Sequence, residues 1–407
     1  MTGRVVVVGA GQAGASLAGR LRALGHEGPV TLIGAEPLPP YQRPPLSKKF
    51  LLGELERERL FLRPENFYVE NAIDTRFGAP VTAIDRAARE VVVDGARVAY
   101  DRLALTLGAR VRRLPAAIGG DLDGVYEIRT VGDVERMAHE IVGGRRALVV
   151  GGGYIGLETA AALASRGISV TLIELAERIL QRVAASETSA FIRALHRDHG
   201  VDLREGVGLE RLLGKHGRVG GAALADGSEI TADFVVVGIG IEPEIALAEA
   251  AGLEIDDGIA TDAQCRTSDP VIFAAGDCAS FPRNGARLRL ESVQNAIDQA
   301  EHAAGAILGG DAPYAPEPWF WSDQYDCKLQ IAGLNRGHDR TVVRPGSRPG
   351  GRSVWYYRGD RLLAVDAMND PKAYMQAKRW IAAGSSPDPD QVSDGSVDLR
   401  TLVRNGR

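Results

Sequence analysis

Cysteine is scarce in this chain: three occur among 407 residues, Cys265, Cys278 and Cys327, and none precedes residue 265. They stand far apart with no CxxC or CxxxxC spacing, which argues against a thiolate-built zinc or iron-sulfur site and suits a reducing compartment. No apolar run approaches the roughly 18 residues that a membrane helix needs. Only MTGR precedes the first strand pattern, leaving no room for a signal peptide, so a cytoplasmic protein is expected. Charge of one sign is lacking too: 48 Lys and Arg against 53 Asp and Glu give a net charge of -5, which implies neither a nucleic-acid nor a membrane partner. What is plentiful is apolar side chain, 45% of the total, enough to give two or three domains a core each.

The chain carries one unit twice. RVVVVGAG, a helical stretch QAGASLAGRLRALG and VTLIGAE read as strand, glycine turn, helix and strand; ALVVGGG, YIGLETAAALASRG and VTLIE repeat them 142 residues later. Each copy is followed by strand-like segments with a hairpin signal, DGARV in the first and DGSEI in the second, and closes on an apolar strand, LTLGA or VVGIG. Between them PPYQRPPLSKKFLLG is too rich in proline for regular structure and reads as an ordered loop. VIFAAGDC is a further buried strand, and a helix is expected from near Ser292. From Ala315 onward aromatic and arginine-rich β-like runs suggest a third domain, with SSPDPDQVSDGS as polar linker near the end.

In Gly9-x-Gly11-x-x-Gly14 the first glycine permits a tight turn, the second lets a diphosphate approach the backbone and the third lets helix pack on strand. The helix N-terminus then offers free N–H groups to phosphate. Glu36 closes the second strand, where a carboxylate can accept from ribose hydroxyls. Gly151, Gly153 and Gly156 repeat the turn and Glu174 repeats the acid, which favours NADH over NADPH, with Arg178 and Arg182 nearby as counterweights. Glu158 lies in the first helical turn, either complementing the dipole or contacting nicotinamide. Two dinucleotide turns in one chain suit hydride transfer between a nicotinamide and a flavin. In the TxDxxxRTSDPxIFAAGDC run, Asp277 follows a buried strand, either as a ribityl ligand or as an ordinary turn residue.

VVVVGAGQAG, RPPLSK, VVGGGYIGLE, TSDPVIFAAGDC, ESVQNAIDQA and PWFWSDQ, in that order, resemble the FAD-dependent ferredoxin reductases of bacterial oxygenase systems, over almost the whole chain. The glycine turns and GDC segment belong to the wider pyridine-nucleotide disulfide reductase superfamily; RPPLSK with PWFWSDQ is narrower. The resemblance implies an α/β fold with two Rossmann-like dinucleotide domains of glutathione reductase type and a C-terminal α+β domain. The implied boundaries are 1–112 with 241–315 for FAD, 113–240 for NADH and 316–407 for a domain covering the flavin and docking ferredoxin. By position, the implied FAD contacts are Gly9, Gly11, Ala13, Gly14, Glu36, Arg43, Lys48, Val81, Arg129, Asp277 and Val293. The implied NADH contacts are Gly151, Gly153, Ile155, Gly156, Glu158, Glu174 and Gly238; Lys48, Glu158 and Trp321 are the implied catalytic residues, and no metal is expected. One departure is Ala35, where many relatives carry an acid, so Glu36 is left to hold the ribose alone or from another angle.

Lys48 is then a cation able to stabilise a reduced flavin, whereas Lys49 reads as a solvated charge. Val293 starts a helix whose dipole could face the flavin, or is simply a core valine. Trp321 is either the family's tryptophan between flavin and docking surface or a core aromatic. With no cysteine before residue 265 a dithiol relay is excluded, so electrons leave for oxygen, a quinone or a one-electron protein. Lys328 to Arg379 holds eleven Lys and Arg against four Asp, either a solvated face or a surface steering an acidic two-iron two-sulfur ferredoxin that feeds an oxygenase. The alternatives are an NADH oxidase or quinone reductase, and a flavin-bearing redox sensor resembling apoptosis-inducing factor.

Overall fold

The computed structural model describes residues 3–402 and divides into two compact units. One comprises Met1–Arg43, Arg57–Arg110 and Ile241–Pro316; the other comprises Pro44–Glu56, Val111–Gly240 and Glu317–Arg407.

The first unit is built on a five-stranded parallel sheet in the order Ile272–Ala274, Arg102–Leu105, Val5–Val8, Val30–Gly34 and Ile73–Phe77. The all-valine central strand is buried throughout, as a strand covered on both faces must be. Its side chains alternate: Val5 and Val7 join Leu17 and Leu21 of the helix Gln12–Ala23 and Ala300 and Ala304 of the helix Val293–Ile307. Val6 and Val8 join Ile33, Leu103 and Ile272 on the opposite face, together with Val91 and Val93. Those last two belong to an antiparallel meander, Val81–Asp85, Glu90–Val93 and Ala96–Ala99. Its predicted hairpin turns at Asp94 and Gly95, with φ of 48° and 76°, the paired left-handed conformations of a two-residue turn matched to strand twist. The second helix starts as expected, with the Ser292 side chain accepting from the Asn295 amide.

The second unit repeats this plan. Its parallel sheet runs Asp202–Glu205, Ser169–Glu174, Arg146–Val150, Phe234–Val237, Val125–Tyr126, and its meander is Leu209–Lys215, Arg218–Leu224 and Glu229–Thr231. It also contains a five-stranded antiparallel sheet in the order Trp319–Gln324, Cys327–Gly333, Arg361–Met368, Arg352–Arg358, Arg340–Pro345. Trp355 and Tyr357 pack with Ala373, Ala377 and Trp380 of the helix Pro371–Ala382 on one face of it. From the other face the Tyr356 hydroxyl donates to Asp366 and accepts from the Ala185 amide at 2.9 Å.

Two expectations need correcting. The proline-rich loop contains a 3-10 turn, Pro44–Ser47, that buries Leu46 and Ser47. The polar stretch near the end is no loose linker: Pro389–Ser393 is helical, Val392 is buried, and the buried Arg344 donates to the carbonyls of Val392, Asp394 and Val397 at 2.6–2.8 Å. A guanidinium removed from water needs such acceptors, and the tail supplies them.

Candidate functional site

The two glycine turns have the same geometry and the same division of labour. Gly9 and Gly151 take φ of +107° and +108°, and a side chain there would begin 2.2 Å from the Thr106 carbonyl oxygen and 2.4 Å from that of Gly238. At Gly14 and Gly156 the obstacle is the turn itself, the carbonyl oxygens of Gly9 and Gly151 at 1.9 and 2.0 Å. Gly11 and Gly153 are different: a side chain at either meets nothing within 4 Å. Neither crowding by the protein nor a left-handed φ calls for glycine at these two positions, and the space in front of them is open to a ligand. Gly11 and Gly153 are also the N-caps of their helices and offer no side-chain acceptor to the first N–H groups. Both cradles therefore fit a diphosphate.

The strand-end acids are held in different ways. Glu174 accepts from the amides of Gly152 at 2.6 Å and Ala176 at 2.8 Å, so it braces the second turn. Glu36 accepts from Arg43 Nη2 at 2.7 Å and from the Tyr41 hydroxyl. Tyr41 and Arg43, neither of them part of the glycine motif, thus fix its carboxylate. At Arg43 burial opposes the charge, but Tyr41, Glu36 and Asp277 together raise the guanidinium above its ordinary range. Asp277 follows Gly276, which packs against Ala13 and Ala296, so the first turn, the GDC segment and the helix starting at Val293 converge. Val81 is half-buried at an edge of the first meander. Arg129, in the second unit, uses its amide to donate to Asp133 at 3.1 Å just before the Thr130 capping box.

In the second unit Ile155 is exposed in the first turn of its helix, while Gly238 packs 3.4 Å from Gly156. Glu158 is buried to 4% exposure and does not act merely on the helix dipole. Its Oε1 meets Lys48 Nζ at 3.0 Å and accepts from Ser322 Oγ at 2.7 Å; its Oε2 accepts from Ser47 Oγ at 2.7 Å. Lys48 lies 3.9 Å from Asp323 as well, and Lys49 is exposed as expected. Trp321 is half-buried, with its ring centroid 5.6 Å from that of Trp319. The Tyr154 ring lies 4.7 Å from that of Phe320, tilted by 40°, and burial keeps its phenol pKa well above the ordinary range, so the group is neutral. Sequence reasoning missed Ser47, Ser322 and Tyr41; RPPLSK and PWFWSDQ contained both serines, but nothing in the spacing paired them with Glu158.

Behind Ser322 lie Gln324 and the fully buried His196, whose imidazole burial lowers from 6.5 to about 4. The unfolded chain takes up this proton near pH 6.5 and the folded one only near 4, so the group's contribution to stability is present above 6.5 and lost as pH falls toward 4. Its full loss corresponds to about 3 kcal/mol. A His196→Gln variant should show a flatter decline over that window in chemical unfolding followed by tryptophan fluorescence; parallel curves would assign the acid sensitivity elsewhere.

The three thiols are free and buried, and burial pushes Cys278 up to about 11 and Cys327 to about 12. Neither is a thiolate nucleophile at neutral pH. Among the described residues no group of three His, Cys, Asp or Glu could hold a metal, and no helix is long and apolar enough to cross a membrane.

Paired diphosphate cradles with strand-end acids mark a dinucleotide-dependent oxidoreductase, and comparison with known proteins agrees. Residues 3–300 match the model of the pyridine nucleotide-disulphide oxidoreductases and residues 319–403 that of the reductase C-terminal domain. Rhodocoxin reductase of Rhodococcus erythropolis is 42% identical over 98% of this chain and 94% of its own length. Putidaredoxin reductase of Pseudomonas putida is also 42% identical, over 98% and 96%. A crystal structure of a covalent putidaredoxin reductase-putidaredoxin complex superposes with a TM-score of 0.94 at 41% identity, covering 98% of each chain. The chain belongs to the pyridine nucleotide-disulphide oxidoreductase family. It is an oxidoreductase that carries FAD and uses a pyridine nucleotide.

Proposed function

We propose that this chain is an NADH-dependent ferredoxin reductase that passes electrons singly to a small acidic two-iron two-sulfur ferredoxin serving a haem-thiolate monooxygenase or ring-hydroxylating dioxygenase. The observation that carries the reading is the pair of equivalent open cradles in a chain whose thiols are all buried, which gives two dinucleotides but no dithiol to take their electrons. Relatives named for putidaredoxin and rhodocoxin supply the partner class. The chemistry FAD supplies when bound is acceptance of two electrons with release of one at a time.

In this reading residues 1–112 and 241–315 hold FAD, 113–240 hold NADH, and 316–407 dock ferredoxin. Gly9, Gly11 and Gly14 admit the FAD diphosphate, Glu36 braced by Arg43 and Tyr41 takes its ribose, and Asp277 takes a ribityl hydroxyl. Ala13, Val81, Arg129 and Val293 complete that set. Gly151, Gly153 and Gly156 admit the NADH diphosphate, with Ile155 and Gly238 beside it. Glu174, already bonded to two amides, presents negative charge where a 2′-phosphate would lie, which favours NADH. Glu158 orients the nicotinamide, Lys48 offsets negative charge on the reduced ring, and Trp321 stands toward the partner. Three buried free thiols suit a cytoplasmic setting.

Stopped-flow mixing tests the reading: NADH should bleach the flavin band, and a co-encoded ferredoxin should then be reduced. Flavin that accepts electrons but passes them to no such ferredoxin would overturn it, and rapid oxygen consumption without a protein partner would favour an NADH oxidase.

A further inference from the structure

The Lys48–Glu158 pair is the end of a longer chain of side chains within the second unit. Ser322 and Gln324, two residues apart on one strand, both face inward and are buried. Gln324 Nε2 donates to Ser322 Oγ at 3.1 Å, and Gln324 Oε1 lies 2.8 Å from His196 Nε2. On the far side of the imidazole, Nδ1 lies 3.5 Å from the Tyr325 hydroxyl, and the Tyr325 ring stacks on His199 at 3.7 Å.

Donor and acceptor chemistry ties the His196 tautomer to the orientation of the Gln324 amide. With the amide oxygen toward His196, as here, the imidazole hydrogen belongs on Nε2; the amide nitrogen only donates, so Ser322 Oγ accepts from Gln324 and spends its single hydrogen on Glu158. The opposite tautomer would flip the Gln324 amide, draw the serine hydrogen back toward Gln324 and leave the buried Glu158 Oε1 with Lys48 alone. Buried carboxylates need their acceptor sites filled, so the tautomer of one histidine is coupled to the placement of a carboxylate three side chains away.

We propose that His196 is a positioning residue for hydride exchange: through Gln324 and Ser322 it keeps the Glu158 carboxylate against Lys48. The inference rests on the reading of Lys48 and Glu158 as the residues that serve the reacting rings. It extends the site beyond the glycine turns to the helix Ser186–Asp198 and to the strand Trp319–Gln324.

The test uses the flavin-loaded protein and two readouts. Trace acetylation of amines with acetic anhydride, read by mass spectrometry, reports the availability of Lys48 against exposed Lys215 in the same molecule. His196→Leu and Ser322→Ala should raise the Lys48 to Lys215 labelling ratio severalfold and lower the limiting rate of flavin reduction by NADH about tenfold with KM for NADH little changed; Ser322→Thr should restore both. Unchanged labelling in Ser322→Ala, or changed labelling with an unchanged rate, overturns the proposal. Should His196→Leu fail to fold, His196→Phe, which keeps a ring but removes the Nε2 donor to Gln324, takes its place with the same expected and overturning outcomes. Failure of the wild type to reduce any ferredoxin would instead strike the proposed function and leave the labelling contrast intact.

Discussion

A Gly153→Val variant is expected to fold, keep its flavin and lose about a hundredfold in kcat/KM for NADH, roughly 3 kcal/mol of binding. The backbone at Gly153 is extended, with φ of -79°, so valine brings no left-handed strain, and nothing in the protein lies within 4 Å of its first side-chain atom. The added methyls crowd the open space before the helix N-terminus, where a diphosphate would make its charge-assisted bonds. Gly156→Ala is the control with the opposite logic. Its methyl starts 2.0 Å from the Gly151 carbonyl oxygen, a backbone atom, so helix and strand must separate and stability should fall by about 1–3 kcal/mol. Steady-state kinetics with thermal melts distinguishes the two; a Gly153→Val protein with normal NADH kinetics would remove the second cradle from the reaction.

Reversing Lys328, Lys372 and Arg379 to glutamate is expected to slow reduction of an acidic ferredoxin roughly thirtyfold at low ionic strength, the deficit shrinking as salt is added. Lys372, Met375 and Arg379 share one exposed face of the helix Pro371–Ala382. Lys328 is exposed as well, and its carbonyl accepts from the Asn369 amide at 3.0 Å, just before that helix. An apolar side chain among cations suits a transient electrostatic encounter. Flavin reduction by NADH should be unaffected in the same protein. Equal loss in both half-reactions would locate the damage in the fold, and no loss in either would move docking to another surface.

The choice of these three residues shows what the sequence could and could not say. The eleven cations between Lys328 and Arg379 are not equivalent. Arg344 is buried among tail carbonyls, Arg340 pairs with Asp390 at 2.5 Å and Arg358 donates to the carbonyls of Arg336 and Gly337. Two of the four opposing acids, Asp366 and Asp370, are buried as well. Charge can be counted along a chain, but burial depends on packing that counting does not contain.

The paired cradles were legible because glycine has few reasons to recur at such spacing between an apolar strand and a helix, and both copies took the form expected of them. The strands of the C-terminal sheet were legible from their aromatic, β-like runs, whereas the α+β arrangement came from the family resemblance. The partners of Glu158 were not. Ser47 stands 111 residues before it and Ser322 164 after, and no local pattern joins them. The supports of Glu36 were hidden for a related reason: Tyr41 and Arg43 lie in a stretch read as loop, where turn chemistry sets no direction for a side chain.

The capture of the tail by Arg344 bears on the order in which the protein can mature. The acceptors of that guanidinium are carbonyls of residues 392, 394 and 397, some fifty positions downstream. During synthesis the strand Arg340–Pro345 leaves the ribosome well before them, its cation still needing water. The edge of the antiparallel sheet can therefore dry out only once residues 392–397 have emerged, so closure of this region waits for some fifty residues of further synthesis.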